Sequence, residues 1–401
     1  MAQTCKCKDS QKKKQKEVLK NLINEQELHP VAKTMIHLQL HKPRTRYSVE
    51  EKMLSKQLYY YSASAFCRLK KAGCNFPGQR TIRMWIEEYN IKPGFCDIIF
   101  QKLKERIAQI PEEERVCALK WDEMSIKSYE EYSSKLDAIE GLVDLGPLGR
   151  QTERTKCVLV FCLDSLNARH PWRQPLAFFL PGKCMKSHEI VHLVQICLDK
   201  LKETGANVKL VTCDQGTNNQ AAYSQLGVHV QKPYFIYNNE TYYALYDFPH
   251  LVKRLVSFLR THDNLYYKGE IIASYSDFVK TWRIDNATKG GSNLLSHITQ
   301  AHINPNCFEA MNVKRAFQIL SYRFAAAIKI AGDEKELNSN TWKATADFAE
   351  HMNNVIDACN SYSVNVTFDG KRPLSRKNHD IENLVKFRTV VFRMVPISEQ
   401  N

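Results

Sequence analysis

The chain has 401 residues, of which 43% are hydrophobic and 25% are charged, a composition typical of a globular protein with two or three domains. No run of 18 apolar residues is present, which excludes a predicted membrane span, and the N-terminus lacks the apolar core of a secretory signal. The 13 cysteines are odd in number and lack a framework spacing, so we expect reduced intracellular thiols and no membrane partner.

The net charge of +14 is concentrated in the first quarter of the chain. Residues 1–100 contain 19 Lys and Arg against 9 Asp and Glu, an excess of 10 positive charges. A basic region on a nearly neutral body predicts a polyanion partner, here DNA, and the alternative is a solvated basic helix without a partner.

Residues 1–45 form the first predicted segment, a basic arm followed by a helix. Lys12, Lys13 and Lys14 form a cluster that predicts either a nuclear-import signal or a contact with the DNA backbone, and a soluble disordered tail is the alternative. We therefore expect a nuclear location. Apolar residues between Val18 and Leu38 recur at helical spacing, which predicts a core-packed helix or, alternatively, a dimerisation helix of a homo-oligomer.

Residues 46–110 are predicted to be a helical unit that resembles a helix-turn-helix. Ser48 precedes an acidic turn and begins one helix, and a second helix follows the loop at 72–78. This second helix, at 80–89, is expected to bury Ile82, Trp85 and Ile86. Arg80 and Arg83 lie near its start, which is compatible with DNA binding, although many all-α modules share this pattern.

Residues 111–234 change to short apolar runs, which predict an α/β sheet of the nuclease type. A helix is expected at 187–203, followed by Gly205 as its cap. The predicted strands cover residues 116–122, 137–144, 156–164, 175–180 and 208–213.

Asp122 and Asp214 each follow an apolar run that we interpret as a strand. Two carboxylates at strand ends on one small sheet are the beginning of a divalent-metal site for phosphoryl chemistry. The neighbouring Glu123 should point to the opposite face of its strand. Trp121 is expected in the core.

Residues 235–365 are predicted to be mostly helical, with helices at 241–262, 274–285, 307–331 and 341–361. Asp247 is a candidate helix cap, and His250 is interpreted as a structural histidine rather than a ligand. Residues 366–401 are basic and then apolar, and they form a last segment without an obvious partner in the chain.

Several long motifs resemble the P element transposase family, which also includes transposase-derived proteins with a THAP zinc finger. The resemblance covers residues from about 30 to 390. The motifs are YYYSASAFCRLKKAGCNFPGQRTIRMWIEEYNIKPGF, WDEMSIK, IEGLVDLG, CDQGTNN, DFPHLVK, HINPNCFEAMNVKRA and KRPLSRKNHDIENLVKF.

The resemblance implies an RNase H-like domain interrupted by an all-α GTP-binding insertion at 235–365, with 366–401 as the start of a return into the first domain. It also implies cut-and-paste DNA transposition with Mg²⁺ held by Asp122, Asp214 and a Glu. Guanine recognition is implied at Asp357 and Asn360, and the alternative is that these two are polar residues near a helix end. Val313 and Ser321 are expected in the same GTP pocket.

Two departures from the family pattern concern metal ions. No Cys and His set for the family's zinc finger follows Cys5 and Cys7, and the chain ends at Asn401 before a motif of the type NQDxLENxF, which carries the catalytic Glu. We therefore expect a transposase-derived DNA-binding regulator with impaired cleavage. The alternatives are a fragment of an active transposase and a nucleotide-regulated interaction protein without a DNA role.

Overall fold

The computed structural model describes residue 18 and residues 27–42, 44–87, 91–134, 136–167, 171–287 and 293–360. The lysine cluster at 12–14 and the segment 366–401 lie outside these residues. The chain forms two compact units, Met1–Lys92 and Pro93–Asn401. Within the described ranges, no helix is both long enough and apolar enough to cross a membrane.

The first unit is a small helical unit with its own core. Ser48 and Glu51 form a reciprocal capping box at the start of the helix Val49–Tyr61, where the sequence predicted a helix start. The core consists of Leu38, Phe66, Phe76, Ile82 and Trp85. The helices are α1 (Pro30–Gln39), α2 (Val49–Tyr61), α3 (Ala63–Lys71) and α4 (Gln79–Glu87).

Helices lie on both sides of the loop at 72–78, as predicted, but the region predicted as one helix from Ser48 forms two helices, α2 and α3, because Ser62 caps a new helix start. Gly73 follows α3 with φ of +105°, a conformation that favours glycine. Ile82 and Trp85 are buried as predicted, but the prediction for Ile86 was wrong because 44% of that residue is exposed. Because only about one residue per turn faces the core, the buried face of α4 is narrower than the sequence indicated.

The second unit contains a seven-stranded mixed sheet and two-stranded ribbons. The strands of the sheet are β1 (Gly94–Phe95), β2 (Val116–Ser125), β7 (Cys157–Ser165), β8 (Arg173–Phe179), β9 (Asn207–Cys213), β10 (Tyr234–Tyr237) and β11 (Glu240–Tyr246). The ribbons pair β3 (Glu131–Ser133) with β4 (Ala138–Glu140), β5 (Leu142–Asp144) with β6 (Arg150–Arg154), and β12 (Asn264–Tyr267) with β13 (Glu270–Ser274).

The strand order in the sheet is β1-β8-β7-β2-β9-β11-β10. Strands β2, β7 and β8 are antiparallel neighbours, whereas β9 and β11 run parallel to β2 and to each other. This mixed arrangement, with helices in the crossovers, confirms the predicted RNase H-like α/β architecture. Its core includes Leu119, Phe161 and Val211, all 0% exposed.

Two strand predictions were wrong in detail. The run at 137–144 does not form a strand of the seven-stranded sheet, because β4 and β5 pair within separate ribbons, and only Asp144 at its end bridges to Leu180 after β8. The helix predicted to begin at 241 was wrong for residues 241–246, because this segment forms β11, which pairs in parallel with β9 from Tyr243 to Tyr246. The sheet therefore continues to Tyr246, past the boundary predicted at 234.

The helices of the second unit fall into two groups. Those that accompany the sheet are α5 (Asp97–Ala108), α6 (Ser187–Thr204) and α7 (Thr217–Gln225). Those of the insertion are α8 (Phe248–His262), α9 (Tyr275–Ala287), α10 (Gln300–Ile303), α11 (Cys307–Ala310), α12 (Val313–Ile319), α13 (Tyr322–Asp333) and α14 (Trp342–Cys359).

The insertion has a separate apolar core, which includes Val256, Phe278, Phe324 and Ile328. The helices predicted at 274–285 and 341–361 are confirmed within about two residues. The single helix predicted at 307–331 is broken into α11, α12 and α13, because Asn306, Asn312 and Ser321 each cap a new helix start.

Candidate metal and nucleotide sites

Strands β2 and β9 bring the two predicted acids to corresponding positions. The last parallel pair between these strands is Lys120 with Thr212. Asp122 and Asp214 each lie two residues further along, so they continue the same register on the same face. Asp214 directly follows β9, as predicted, but the strand end predicted at Asp122 was wrong, because β2 continues for three residues to Ser125.

Asp122 lies within β2 and is exposed. Its Oδ1 atom accepts the backbone N–H of Glu123 at 2.9 Å. Across the sheet it faces Val160 of β7, an apolar neighbour that does not neutralise it. An exposed carboxylate is a suitable oxygen ligand for a hard cation.

Asp214 follows β9 and is half-buried. Its Oδ1 atom accepts the Gly216 N–H at 3.0 Å and the Asn219 amide at 2.6 Å. The oxygen of the Asn219 amide accepts the indole N–H of Trp121 at 2.9 Å. Trp121 is 2% exposed, as predicted for a core residue, so its indole is a fixed donor.

Glu123 points away from Asp122, as the strand alternation predicted. One of its carboxylate oxygens accepts the Met185 N–H at 3.2 Å. Burial raises the pKa of Glu123, and the negative charges of Asp214 and Asp122 raise it further. Its partner atoms are protein groups, which assigns it a structural position on the core side of the strand.

The pKa of the Cys213 thiol is affected by the acidic residues around it. Burial is the largest cause that raises its pKa to about 12, and the charges of Asp214, Asp122 and Asp247 add to the effect. Three carboxylates therefore act electrostatically on one buried thiol at this end of the sheet.

The donor set fits a hard divalent cation, because Asp122 and Asp214 offer carboxylate oxygens on neighbouring strands. In the part of the chain that the structure describes, no group of three or more His, Cys, Asp or Glu side chains is arranged as a complete metal site. Asp122 and Asp214 are therefore two candidate ligands, and a third carboxylate beside them is not among the described residues.

The start of α8 lies against the loop that follows Asp214. The Asp247 N–H donates to the Cys213 carbonyl at 2.8 Å, and the Asp247 carboxylate caps the helix by accepting the His250 N–H at 3.3 Å. His250 Nδ1 lies 2.9 Å from Asp247 Oδ2. Arg254 donates to the Gln215 carbonyl at 2.7 Å. The contacts of His250 with Asp247 are those of a residue in the first turn of a capped helix.

The four predicted GTP-binding residues lie on α12, α13 and α14 or at their ends. Val313 begins α12, Ser321 caps α13, Asp357 lies in the last turn of α14, and Asn360 follows that helix.

Asn353 joins two of these helix ends. Its amide oxygen accepts the Tyr322 N–H at 3.1 Å, next to Ser321, and its amide nitrogen donates to Asp357 Oδ2 at 3.1 Å. The start of α13 and the end of α14 therefore lie together. Asp357 is half-buried and Asn360 is exposed, so both can face a ligand at this end of the helices.

Arg80 and Arg83 are both exposed on α4 of the first unit. Arg83 donates to the Tyr59 hydroxyl at 3.4 Å. Two exposed guanidinium groups on the second helix of the motif are suitable for phosphate contacts.

Sequence reasoning missed Asn219 and Asn353 as residues of these sites. Both lie on helices, so their polarity alone indicated only a solvated face. The repeated Asn in CDQGTNN was a signal for Asn219, since an Asn can place one donor and one acceptor in the same site.

Family models match both parts of the second unit. The TNP-like RNase H N-terminal domain matches residues 91–227, and the TNP-like GTP-binding insertion domain matches residues 249–371. Together they cover more than half of the chain. The second match begins next to the first residue of α8, where the sheet ends.

Curated relatives and a solved structure agree with these models. The Transposable element P transposase of Drosophila melanogaster is 25% identical over 80% of this chain and 39% of its own length. The DNA transposase THAP9 of Homo sapiens is 24% identical over 46% of this chain and 20% of its own length. The chain thus spans about two fifths and one fifth of these relatives.

The Drosophila P element transposase strand transfer complex has the same fold, with a TM-score of 0.69, 23% identity, and coverage of 92% of this chain and 78% of that one. The two family models match in the order of an RNase H-like domain followed by the insertion, which agrees with the two cores of the second unit. The chain therefore belongs to the P element transposase-like family, with an RNase H-like domain and a GTP-binding insertion domain.

Proposed function

We propose that this protein acts on DNA through Mg²⁺-dependent phosphoryl transfer of the cut-and-paste transposition type. The register of β2 and β9, which places Asp122 and Asp214 at corresponding positions, is the observation that carries the proposal. The relatives are named as transposases, and the similar structure is named as a strand transfer complex.

Asp122 and Asp214 would hold the cation by their carboxylate oxygens. A bound divalent metal would activate the attacking oxygen and stabilise the leaving oxygen of the phosphodiester. The protein's own contribution is to fix both acids on the central strands of a packed sheet, where their backbones cannot shift independently.

A nicking and strand-transfer assay on transposon-end DNA, in Mg²⁺ and in Mn²⁺, tests this proposal. Metal-dependent cleavage should be lost in Asp122→Ala and in Asp214→Ala. Asp97→Ala is the matched control, because the Asp97 side chain is 88% exposed and pairs with Lys200 on the helical layer. Cleavage that persists in both site variants would refute the proposal.

A DNA-binding regulator that does not cleave is the second candidate function. It is favoured by the first unit, which has its own core and presents Arg80 and Arg83 on an exposed helix face. Replacing both arginines by Ala should reduce the salt dependence of DNA binding by about one released ion per lost phosphate contact. Lys42→Ala, at an exposed position in the same unit, is the control. If the salt dependence of DNA binding is unchanged in the double variant, α4 does not contact the DNA phosphates.

The second part of the proposal is that the insertion binds GTP at Asp357, Asn360, Val313 and Ser321. A carboxylate accepts hydrogen bonds from N1–H and the amino group of guanine, and an Asn amide can contact the opposite edge of the base. The half-buried Asp357, already oriented by Asn353, is suitable for this recognition.

The substitution Asp357→Asn tests the nucleotide site, because it should change the preferred base from guanine to xanthine. The amide offers a donor that suits the second carbonyl of xanthine, so GTP should bind about 10- to 100-fold more weakly while XTP binds better. Asp347→Asn on the same helix is the charge-matched control, because the Asp347 side chain is 73% exposed. Equal loss for both nucleotides would argue against direct contact with the base.

A further inference from the structure

A hydrogen-bonded bridge links the two strands that carry the acids. Trp121, which immediately precedes Asp122, donates its indole N–H to Asn219 Oδ1 at 2.9 Å. Asn219 then donates its amide to Asp214 Oδ1 at 2.6 Å. The bridge therefore begins at the residue before Asp122 and ends on Asp214. Its first hydrogen bond joins Trp121 and Asn219, which are 98 residues apart in sequence.

The chemistry of the three groups fixes the direction of this bridge. An indole N–H can only donate, so the atom of Asn219 that faces it must be the amide oxygen. The amide nitrogen must then face Asp214, and an ionised carboxylate only accepts. Asn219 is the only ordinary side chain of this length that meets both demands in one orientation.

Both hydrogen bonds that Asp214 receives within the described ranges end on the same oxygen, Oδ1. The second donor is the backbone N–H of Gly216. A Cβ atom at residue 216 would lie 3.1 Å from Asp214 Oδ1, so glycine leaves room for this close approach. With Oδ1 held from two sides, Oδ2 remains for a cation.

We infer that Asn219 is a positioning residue, which sets the orientation of the Asp214 carboxylate for metal binding while Trp121 fixes its amide. The inference rests on the proposed metal site. Asn219 does not contact the cation or the DNA and acts only through Asp214. Groups that orient a metal ligand typically change metal affinity by about 10- to 100-fold when they are removed.

Mn²⁺ binding to the full chain, measured from the EPR signal of free Mn²⁺, tests the inference without requiring cleavage. Asn219→Ala should raise the Kd about tenfold. Trp121→Phe keeps the ring but removes the donor, and should raise the Kd by a smaller factor. Asn218→Ala is the matched control, because Asn218 is the neighbour on α7 and bonds the Met185 carbonyl instead of an acid.

The unfolding midpoint without metal is measured for every variant, since a merely structural role would move the midpoint and leave the Kd unchanged. An unchanged Kd in folded Asn219→Ala overturns the inference. If Asn219→Ala does not fold, an unchanged Kd in folded Trp121→Phe overturns it instead.

Asp214→Ala separates this inference from the proposed metal site. If the wild-type chain and Asp214→Ala bind Mn²⁺ alike, the metal site itself is refuted and the role of Asn219 falls with it. If Asp214→Ala loses binding but Asn219→Ala does not, only the role of Asn219 is refuted.

Discussion

The sheet and the helical insertion hold their candidate sites by different means. In the sheet, backbone pairing between β2 and β9 sets the positions of Asp122 and Asp214 before any side chain is considered. In the insertion, the ends of α13 and α14 are joined by the side chain of Asn353. The comparison indicates that the metal site depends on strand register, whereas the nucleotide site depends on helix packing and on individual side-chain contacts.

Removing a large core residue from each region is the strongest way to separate them. Phe161 and Phe324 are both 0% exposed, one in each core. Replacement of either by Ala should lower the free energy of unfolding by about 3–5 kcal/mol, as measured by urea denaturation. Near its own midpoint, Phe161→Ala should weaken Mn²⁺ binding first, and Phe324→Ala should weaken GTP binding first. Simultaneous loss of both ligands in both variants would mean that the two cores unfold together.

A smaller effect is expected where Gly332 of α13 packs against Trp342 of α14. A Cβ atom at Gly332 would overlap the Trp342 ring. Gly332→Ala should therefore lower the free energy of unfolding of the insertion by about 1–3 kcal/mol, although Ala favours the helix. In a Trp342→Ala background the same change should be neutral or stabilising by about 1 kcal/mol, since only helix propensity remains. An equal cost in both backgrounds would show that the two residues do not contact each other.

The smallest of the expected differences is in the pH dependence of stability. A fall in pH should lower the stability of the insertion before that of the sheet. Burial lowers the pKa of His351 on α14 below 6.5, so the unfolded state binds the proton more readily and the stability of the insertion falls as the pH decreases below 6.5. In the sheet, burial opposes ionisation of Asp164, but hydrogen bonds from Arg173 and Lys120 outweigh it and lower its pKa below 3.8. The stability from Asp164 is therefore retained until the pH falls below 3.8.

Urea denaturation at pH 7.5 and 5.5 measures this difference. His351→Gln should reduce the loss of stability between these two values, and Asp164→Asn should leave the loss unchanged. A pH dependence that is the same in His351→Gln as in the wild type would place the sensitive group elsewhere.

The fold of the sheet region was largely predictable because most of its strands are short apolar runs. Residues 116–122 and 208–213 were recognised in this way. Strand β11 was missed because its Tyr-rich run continues directly into the apolar pattern of α8, and the two were read as one helix. Asp247 marked the boundary, since a capping residue followed by Phe-Pro predicts a helix start rather than a helix interior.

The candidate sites were predictable only where one residue determines the chemistry. Asp122 and Asp214 were proposed from strand position, and Asp357 and Asn360 from the family motif. The bridge through Asn219 could not be predicted, because Trp121 and Asn219 meet only after β2 and β9 are paired and α7 is packed. Asn353 was missed for the same reason, since its partners lie on two different helices.

The junction between β11 and α8 has a mechanical consequence. Strand β11 ends at Tyr246, Asp247 is the cap, and α8 continues into the insertion core with Val256 fully buried, so no residue is left over to serve as a hinge. One added residue before Arg254 would rotate its guanidinium by about 100° and move it about 1.5 Å along the helix axis, away from the Gln215 carbonyl. Chimeras that exchange the insertion must therefore keep the number of residues between β11 and Arg254, so that the helix keeps its rotational position.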